Sequence, residues 1–204
     1  MAVRRLKRDN LIRVAARTGR ISLTDAGKAI AEELLERHHL IERMLVEIFG
    51  MEWYKVHDEA EQLEHAVSAD FERILREKLG AEGACPHGAV GAIETPEDRR
   101  RRGLIPLVEL GLHLKASVEF IFERDRQLLE YLDSLGIRPG STVEILAKNY
   151  DDTLILKIED AQTPLGKSAS EKIWVSQAAM TEEKYSIDLR SPSSSETRGS
   201  HPKI

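Results

Sequence analysis

The sequence predicts an α+β protein with helices in its N-terminal half and a small β-barrel in its C-terminal half. Residues 24–80 carry apolar side chains at spacings of three and four, which is the period of a helix with one buried face. From residue 104 onward, short and partly alternating apolar runs are separated by turns rich in Gly and Asp, a pattern typical of small β-barrels. Between the halves, residues 81–103 contain several Gly and Pro, and we expect a linker there.

Composition sets broad limits on function. The chain has 204 residues, of which 41% are apolar and 32% charged, so it can bury a core. Its net charge of −5 argues against a surface coated by nucleic acid. One cysteine excludes an intrachain disulfide and favours a reducing cytoplasm. We find no signal peptide and no apolar run of the roughly 18 residues needed to span a membrane, so no membrane partner is expected.

Basic charge is concentrated at the N-terminus. Residues 1–20 contain seven Arg and Lys but a single Asp. Residues 2–11 are predicted to form a helix, and residues 11–15 and 21–23 two strands joined by a tight turn. A basic helix followed by a hairpin resembles the wing region of a winged helix-turn-helix. The candidate phosphate contacts are Arg4, Arg5, Lys7 and Arg8. The alternative is an ordinary solvated helix end.

Two long helices are predicted next. Thr24 can cap the first, which continues to about Ile48 and is broken at residues 49–51. The second is expected to run without interruption from residue 53 or 55 to Leu79, with Gly80 as its stop. Its apolar face would consist of Ala60, Leu63, Val67, Phe71 and Ile74.

Imidazoles and carboxylates line these helices at metal-ligand spacing. On the second helix, four such residues fall within an arc of roughly 100°: His57, Glu61, Glu64 and His65. On the first, His38 and Glu42 are one turn apart. If the helices fold back on each other, His38, Glu42 and His57 can bind one ion, and Glu61, Glu64 and His65 a neighbour. Nitrogen and oxygen donors suit Mn²⁺ or Fe²⁺. The alternative is two charged, solvated helix faces.

Other histidines and the cysteine carry weaker signals. His39 points about 100° away from His38 on a helix and is left out of the site. Cys85 and His87 could form a ligand pair, but a structural or incidental role is favoured because nothing nearby completes a site. In the C-terminal half we expect strands at 112–122, 141–148, 153–159 and 172–176, a helix at 125–135 and, from residue 186, a disordered tail.

Five stretches carry a resemblance to a known family. They are VRRLKRD at 3–9, ISLTDAG at 21–27, RHHLIER at 37–43, KVHDEAEQLEH at 55–65 and CPHG at 85–88. With them the chain resembles the diphtheria toxin repressor family of metal-dependent transcriptional regulators, over about residues 2–185. The resemblance implies a partial winged helix-turn-helix at 1–23, a helical metal-binding and dimerisation domain at 24–80 and an SH3-like, FeoA-type domain at 104–185. Composition adds the linker at 81–103 and the disordered tail at 186–204.

The resemblance also implies a function. Family members form homodimers that bind operator DNA when Mn²⁺ or Fe²⁺ is bound, and they usually repress metal-uptake genes. By motif position, His38, Glu42 and His57 correspond to one metal site, and Glu61, Glu64 and His65 to the other. Iron-responsive members tend to have cysteine at the position of Glu61, so a carboxylate there favours Mn²⁺.

The sequence departs from the family at its start. Family members begin with two further helices and the first half of the recognition helix, whereas this sequence starts inside that helix. A metal-sensing dimerisation module without specific DNA binding is therefore the alternative. A di-metal carboxylate enzyme would need Glu-x-x-His motifs on two helices. Glu61 and His65 are four apart and have no second copy, so we expect neither an enzyme nor a small-molecule substrate.

Overall fold

The computed structural model describes residues 2–80 and 83–177 and confirms the α+β prediction. Its helices are α1 Ala2–Arg8, α2 Asp25–Glu47, α3 Val56–Leu63, α4 Ala69–Leu79, α5 Pro96–Arg101, α6 Arg126–Ser134 and α7 Lys167–Ser170. Its strands are β1 Ile12–Val14, β2 Ile21–Leu23, β3 Leu104–Pro106, β4 Lys115–Ile121, β5 Thr142–Lys148, β6 Leu154–Ile158, β7 Ala161–Leu165 and β8 Ile173–Gln177. The tail expected from residue 186 lies outside the described residues. None of the helices in the described ranges has the length and apolar character that a bilayer crossing requires.

The basic helix and hairpin at the N-terminus are confirmed. Strand β1 pairs antiparallel with β2, and α1 packs against the hairpin. Thr24 caps α2 because its hydroxyl oxygen accepts a hydrogen bond from the Gly27 N–H at 3.0 Å. A side chain at Gly27 would meet the carbonyl oxygen of Leu11 at 1.9 Å, so the first turn of α2 lies directly against the hairpin.

The prediction of one uninterrupted second helix is wrong. It is divided into α3 and α4 by residues 64–68, and Ser68 caps α4 by accepting a hydrogen bond from Phe71 N–H at 3.3 Å. Ser at this position stabilises a helix start better than a helix interior. Apolar spacing continues across the break because both helices pack on α2. The predicted apolar face is divided accordingly: Ala60 is fully buried, whereas Phe71 and Ile74 remain exposed.

The C-terminal half is a six-stranded antiparallel sheet in the order β3-β8-β4-β5-β6-β7. Register shifts at 118–120 and 145–147 mark the bulges that let such a sheet curve. Side chains of α6 fill its core. Asp125 caps this helix, because its carboxylate accepts a hydrogen bond from Leu128 N–H at 3.1 Å. Four strands and α6 were predicted. Strands β3 and β7 and helix α7 were not predicted, and β7 is a largely exposed edge strand that contains Pro164.

The segment predicted as a linker is packed. Cys85 and His87 are buried, and a side chain at Gly88 would meet the Glu119 carbonyl oxygen on β4 at 1.8 Å. Helix α5, missed by the sequence analysis, begins with a reciprocal capping pair formed by Thr95 and Asp98. In this segment Gly88 allows a close approach of the backbone to β4, and Pro96 begins a helix. These residues therefore do not make the segment a flexible linker.

Candidate metal centre

Three predicted ligands meet in the space between α2 and α3. His38 and Glu42 lie one turn apart on α2, and His57 lies in the first turn of α3. His38 Nε2 is 3.0 Å from Glu42 Oε1 and 2.9 Å from His57 Nδ1, and His57 Nδ1 is 3.2 Å from the same Glu42 oxygen. All three side chains are buried. The helical spacing and the turn between the helices thus place three donor atoms around one point.

These separations fit a metal-ligand set. For a metal–ligand distance of about 2.1 Å, donors at right angles lie about 3.0 Å apart and donors at tetrahedral angles about 3.4 Å apart. The His38, Glu42 and His57 atoms are 2.9–3.2 Å apart. Glu42 Oε2 and His57 Nε2 have no hydrogen-bond partner among the described residues, which leaves polar capacity for a cation in a buried place.

Electrostatics keep this cluster charged. Burial alone would raise the pKa of the Glu42 carboxyl, but the imidazoles of His38, His57 and His87 outweigh it and hold that pKa well below its usual range. Burial disfavours the His38 imidazolium, but Glu42 and Glu64 on either side of the ring raise the pKa of His38 to about 9. A carboxylate in an otherwise apolar interior requires a cationic neighbour, either imidazolium or metal.

The second predicted set is only partly assembled. Glu64 is buried, with its Oε2 2.8 Å from His38 Nδ1. Glu61 Oε1 is 3.5 Å from His57 Nε2, but 59% of its side chain is exposed. His65 lies beyond the end of α3 with 73% of its side chain exposed, and its Nε2 is 3.4 Å from Glu64 Oε1. Glu61, Glu64 and His65 therefore lie next to the buried set, at its solvent side.

A further group of possible ligands was missed by the sequence analysis. One atom each from His39, Glu42, Cys85 and Glu123 lie within 4.8 Å of one another. Both ring nitrogens of His39 are buried without a partner in the described chain, and burial lowers the pKa of this imidazole. Burial also raises the pKa of the Cys85 thiol, so only a bound cation would favour its thiolate. Glu42 belongs to both groups.

Comparisons with known proteins identify the family to which this chain belongs. The family model described as "Iron dependent repressor, metal binding and dimerisation domain" matches residues 24–90, and the "FeoA domain" model matches residues 105–177. The solved structure of a manganese-dependent transcriptional repressor in complex with manganese is 32% identical, with a TM-score of 0.75 over 87% of this chain and 82% of that chain. The chain belongs to the diphtheria toxin repressor family of metal-dependent transcriptional regulators.

Curated relatives fall in the same family. The iron-dependent repressor IdeR of Mycobacterium tuberculosis is 41% identical over 157 residues, which is 70% of this chain and 66% of the relative. The diphtheria toxin repressor of Corynebacterium efficiens is 33% identical over 153 residues, 71% of this chain and 66% of the relative. This member of the diphtheria toxin repressor family thus matches just under two thirds of the length of each of these curated relatives.

The candidate DNA contacts of this family member lie on α1, which supplies none of the converging donor atoms found among the described residues. Arg4, Arg5, Lys7 and Arg8 are all exposed on α1. Arg5 and Arg8 are 3.8 Å and 3.0 Å from Asp9, which neutralises part of their charge. The sequence signals for the missed ligands were His39, which follows His38, and the CPHG stretch that contains Cys85; both were noted but left outside the predicted site.

Proposed function

We propose that this chain is a metal-dependent transcriptional regulator that acts as a homodimer on operator DNA, with repression of metal-uptake genes as its usual outcome. The observation that carries the proposal is the convergence of the His38, Glu42 and His57 donor atoms at 2.9–3.2 Å in a buried place. We assign those three residues to one ion and Glu61, Glu64 and His65 to a neighbour. The partly assembled state of the second set means that its completion depends on movement of exposed side chains.

His39, Cys85 and Glu123 extend the buried set toward the C-terminal half. Glu123 follows β4, and Cys85 lies in the segment that packs on it, so Glu42 on α2 faces donors from both halves of the chain. When bound, a divalent ion would supply positive charge between the halves. Glu42 could coordinate this ion through Oε2, the oxygen that has no hydrogen-bond partner among the described residues, and the imidazoles could coordinate it through unprotonated nitrogens.

Mn²⁺ is the favoured cofactor and Fe²⁺ the alternative. Glu61 contributes a carboxylate oxygen, and Mn²⁺ prefers oxygen over sulfur donors. A solved relative is titled as a complex with manganese, while curated relatives are named iron-dependent repressors. Thiolates prefer softer ions, but Cys85 belongs to the group that includes Glu123 and not to the set that includes Glu61. The thiol therefore does not affect the preference for Mn²⁺ at Glu61.

An exposed apolar face supports dimerisation. Large apolar side chains of α2 and α4, which pack together, remain 36–54% exposed. They are Ile30, Leu34, Phe71 and Ile74. A second copy would remove this surface from water, and each fully buried side chain of this size contributes about 1.5–3 kcal/mol. With two copies, α1 and the hairpin would occur twice, as operator half-sites require.

Several features favour a regulator over an enzyme. The relatives are named as transcriptional repressors, and three of the buried donors converge on one point at 2.9–3.2 Å, as the ligands of a bound ion do. We therefore propose no catalytic role. The cytoplasm, where DNA and Mn²⁺ or Fe²⁺ are both available, is the proposed compartment for a chain with one buried cysteine.

A matched pair of variants tests the metal site. Glu42→Gln removes one charge from the shared, fully buried carboxylate, while Glu59→Gln makes the same change at an exposed position of α3. Titration calorimetry should show that Glu42→Gln lowers the affinity for Mn²⁺ by more than the about 10–100-fold that the loss of an outer-shell partner costs. Glu59→Gln should bind as the wild type does. Equal affinity in all three proteins would contradict the site.

A gel shift separates the regulator from the metal-sensing module that lacks specific DNA binding. DNA fragments selected from a random pool would be tested with this chain, with and without Mn²⁺. The regulator predicts Mn²⁺-dependent retention of selected fragments over random ones. Arg4→Ala should reduce the salt slope of that binding by about one. Retention without any sequence preference would support the module instead.

A further inference from the structure

Arg99 is a largely buried arginine beside the metal centre. Its side chain is 17% exposed, whereas the side chains of the three arginines that follow it are 44–76% exposed. Its guanidinium carbon lies 3.8 Å from the centre of the Phe120 ring and 5.4 Å from the centre of the Trp174 ring. Aromatic faces attract a cation at such distances, so these two rings hold the guanidinium in place.

Glu94 compensates the charge of Arg99 only in part. Its Oε2 is 3.7 Å from Arg99 Nε, too far for a hydrogen bond, and its Oε1 pairs with Arg102. Arg99 Nε is buried and has no hydrogen-bond partner in the part of the chain that the structure describes. Burial lowers the pKa of Arg99, and the charges of Glu94 and Glu123 oppose that effect. A buried cation with so few contacts requires further negative charge nearby.

Glu123 supplies that charge and also belongs to the metal centre. With Arg99 it lines a cavity of about 440 Å³, whose wall includes His38 and His39. One of its carboxylate oxygens lies within 4.8 Å of donor atoms of His39 and Glu42. Its Oε2 is buried without a hydrogen-bond partner among the described residues. Burial lowers the pKa of His39 as well as that of Arg99, and the charge of Glu123 opposes both effects.

A cation of the chain and a metal ion would therefore use the same carboxylate. The imidazoles of His38 and His57 lie against Glu42, whereas Glu123 has the Arg99 guanidinium across the cavity. A divalent ion held by Glu42 and Glu123 would share the charge of Glu123 with Arg99. It would also be repelled by the guanidinium, which the two aromatic rings keep beside the cavity.

Packing alone does not explain a cation at this position. A methionine would cover Phe120 and Trp174 without removing a charge from water, and apolar side chains of similar volume often replace buried charges without loss of stability. The positive charge is therefore the property of Arg99 that needs an explanation.

We propose that Arg99 is a built-in competitor of the metal ion: its guanidinium neutralises Glu123 and thereby raises the Mn²⁺ concentration at which the site fills. This inference rests on the proposed metal-binding function. Two cations that share one carboxylate each weaken the binding of the other. Arg99 contributes no ligand atom and instead sets the threshold of the response to metal.

Three variants separate the charge of Arg99 from its packing. Arg99→Met keeps an unbranched side chain against Phe120 but removes the cation, and Arg99→Lys keeps a cation. Arg100→Met makes the same change at the next position, where the side chain is 47% exposed and pairs with Glu109. Titration calorimetry should show that Arg99→Met raises the affinity for Mn²⁺ about 5–150-fold, the usual range for two coupled sites. Arg99→Lys should recover most of the wild-type behaviour, and Arg100→Met should match the wild type.

Stability without metal should change in the opposite direction. Arg99→Met deprives Glu123 of its cation, so urea unfolding of the metal-free protein should show a lower stability than in the wild type. A role in packing alone would lower stability and Mn²⁺ affinity together. Affinity that falls in step with stability in Arg99→Met would therefore overturn the inference.

A double-mutant cycle tests whether Glu123 carries the effect. In a Glu123→Gln background, Arg99→Met should lose most of its gain in Mn²⁺ affinity, because the shared carboxylate is gone. An equal gain in both backgrounds, or no gain in wild-type background, would overturn this inference alone. If Arg99→Met does not fold, Arg99→Gln carries the same expectations. If the wild type fails to bind Mn²⁺, or Glu42→Gln has no effect, the proposed function fails and this inference with it.

Discussion

Replacing Gly88 by alanine measures how firmly the Cys85–Gly88 turn is held against β4. Gly88 has φ of +87°, and an added Cβ would lie 1.8 Å from Glu119 O, far inside the about 3.5 Å of an ordinary contact. Left-handed backbone costs a non-glycine residue about 1–2 kcal/mol. The turn must also move away from β4.

That movement breaks two hydrogen bonds, Ile121 N–H to His87 O at 2.9 Å and Gly88 N–H to Cys85 O at 2.8 Å. Each contributes about 1 kcal/mol, so we expect Gly88→Ala to lower the free energy of unfolding by about 3–4 kcal/mol in total. Mn²⁺ affinity should fall as well, because His87 and Cys85 move away from Glu42.

Gly140 provides a matched control. Its φ is +88°, but no atom lies within 4 Å of an added Cβ, so Gly140→Ala carries the backbone strain without the collision. It should cost only about 1–2 kcal/mol and leave Mn²⁺ affinity unchanged. Urea unfolding of the metal-free proteins followed by circular dichroism, together with Mn²⁺ titration, measures both quantities. Equal losses of stability in the two variants would refute the close packing of the turn.

Four further predictions concern the rest of the fold. Thr24→Ala removes the α2 cap and should cost about 1 kcal/mol in urea unfolding. Trp53→Phe removes the hydrogen bond from Nε1 to Asp133 Oδ1 at 2.7 Å and should cost up to about 1 kcal/mol, whereas no change would show that the contact is immaterial. Arg37, which donates to Glu72 at 2.8 Å, lowers the pKa of that carboxyl, so the stability lost in Arg37→Gln should shrink as pH falls below about 4.3. Adding Mn²⁺ at about 100 times its dissociation constant should stabilise the wild type by about 2.7 kcal/mol in thermal unfolding, and a chelator should reverse the gain.

Local spacing made part of the site predictable. His38 and Glu42 share a helix face because they are one turn apart, and a short break before His57 suffices to bring the second helix alongside. Thr24 as a cap and the β1–β2 hairpin were predictable for the same reason, since both depend on neighbours within about a dozen residues. Helix geometry therefore sufficed to predict that the side chains of His38, Glu42 and His57 lie together.

The remainder depended on contacts distant in sequence. His39 points away from His38 along the helix, but Cys85 and Glu123 supply donors on that other side. Nothing local to His39 signals those partners. His65 was aligned with His57 by assuming a continuous helix, and the break that begins at Glu64 leaves its side chain exposed. Apolar periodicity cannot reveal such a break when the helices on both sides pack on the same neighbour.

Glu64 occupies the boundary between the two ligand sets, and this has a consequence for how ions load. Its Oε2 is 2.8 Å from His38 Nδ1, and its Oε1 is 3.4 Å from His65 Nε2. On the proposed assignment this one carboxylate contacts a histidine of each set, so we expect an ion in one set to change the free energy of filling the other. We therefore predict that the two proposed sites are coupled, and that a Mn²⁺ titration of the wild type deviates from the sum of two independent isotherms.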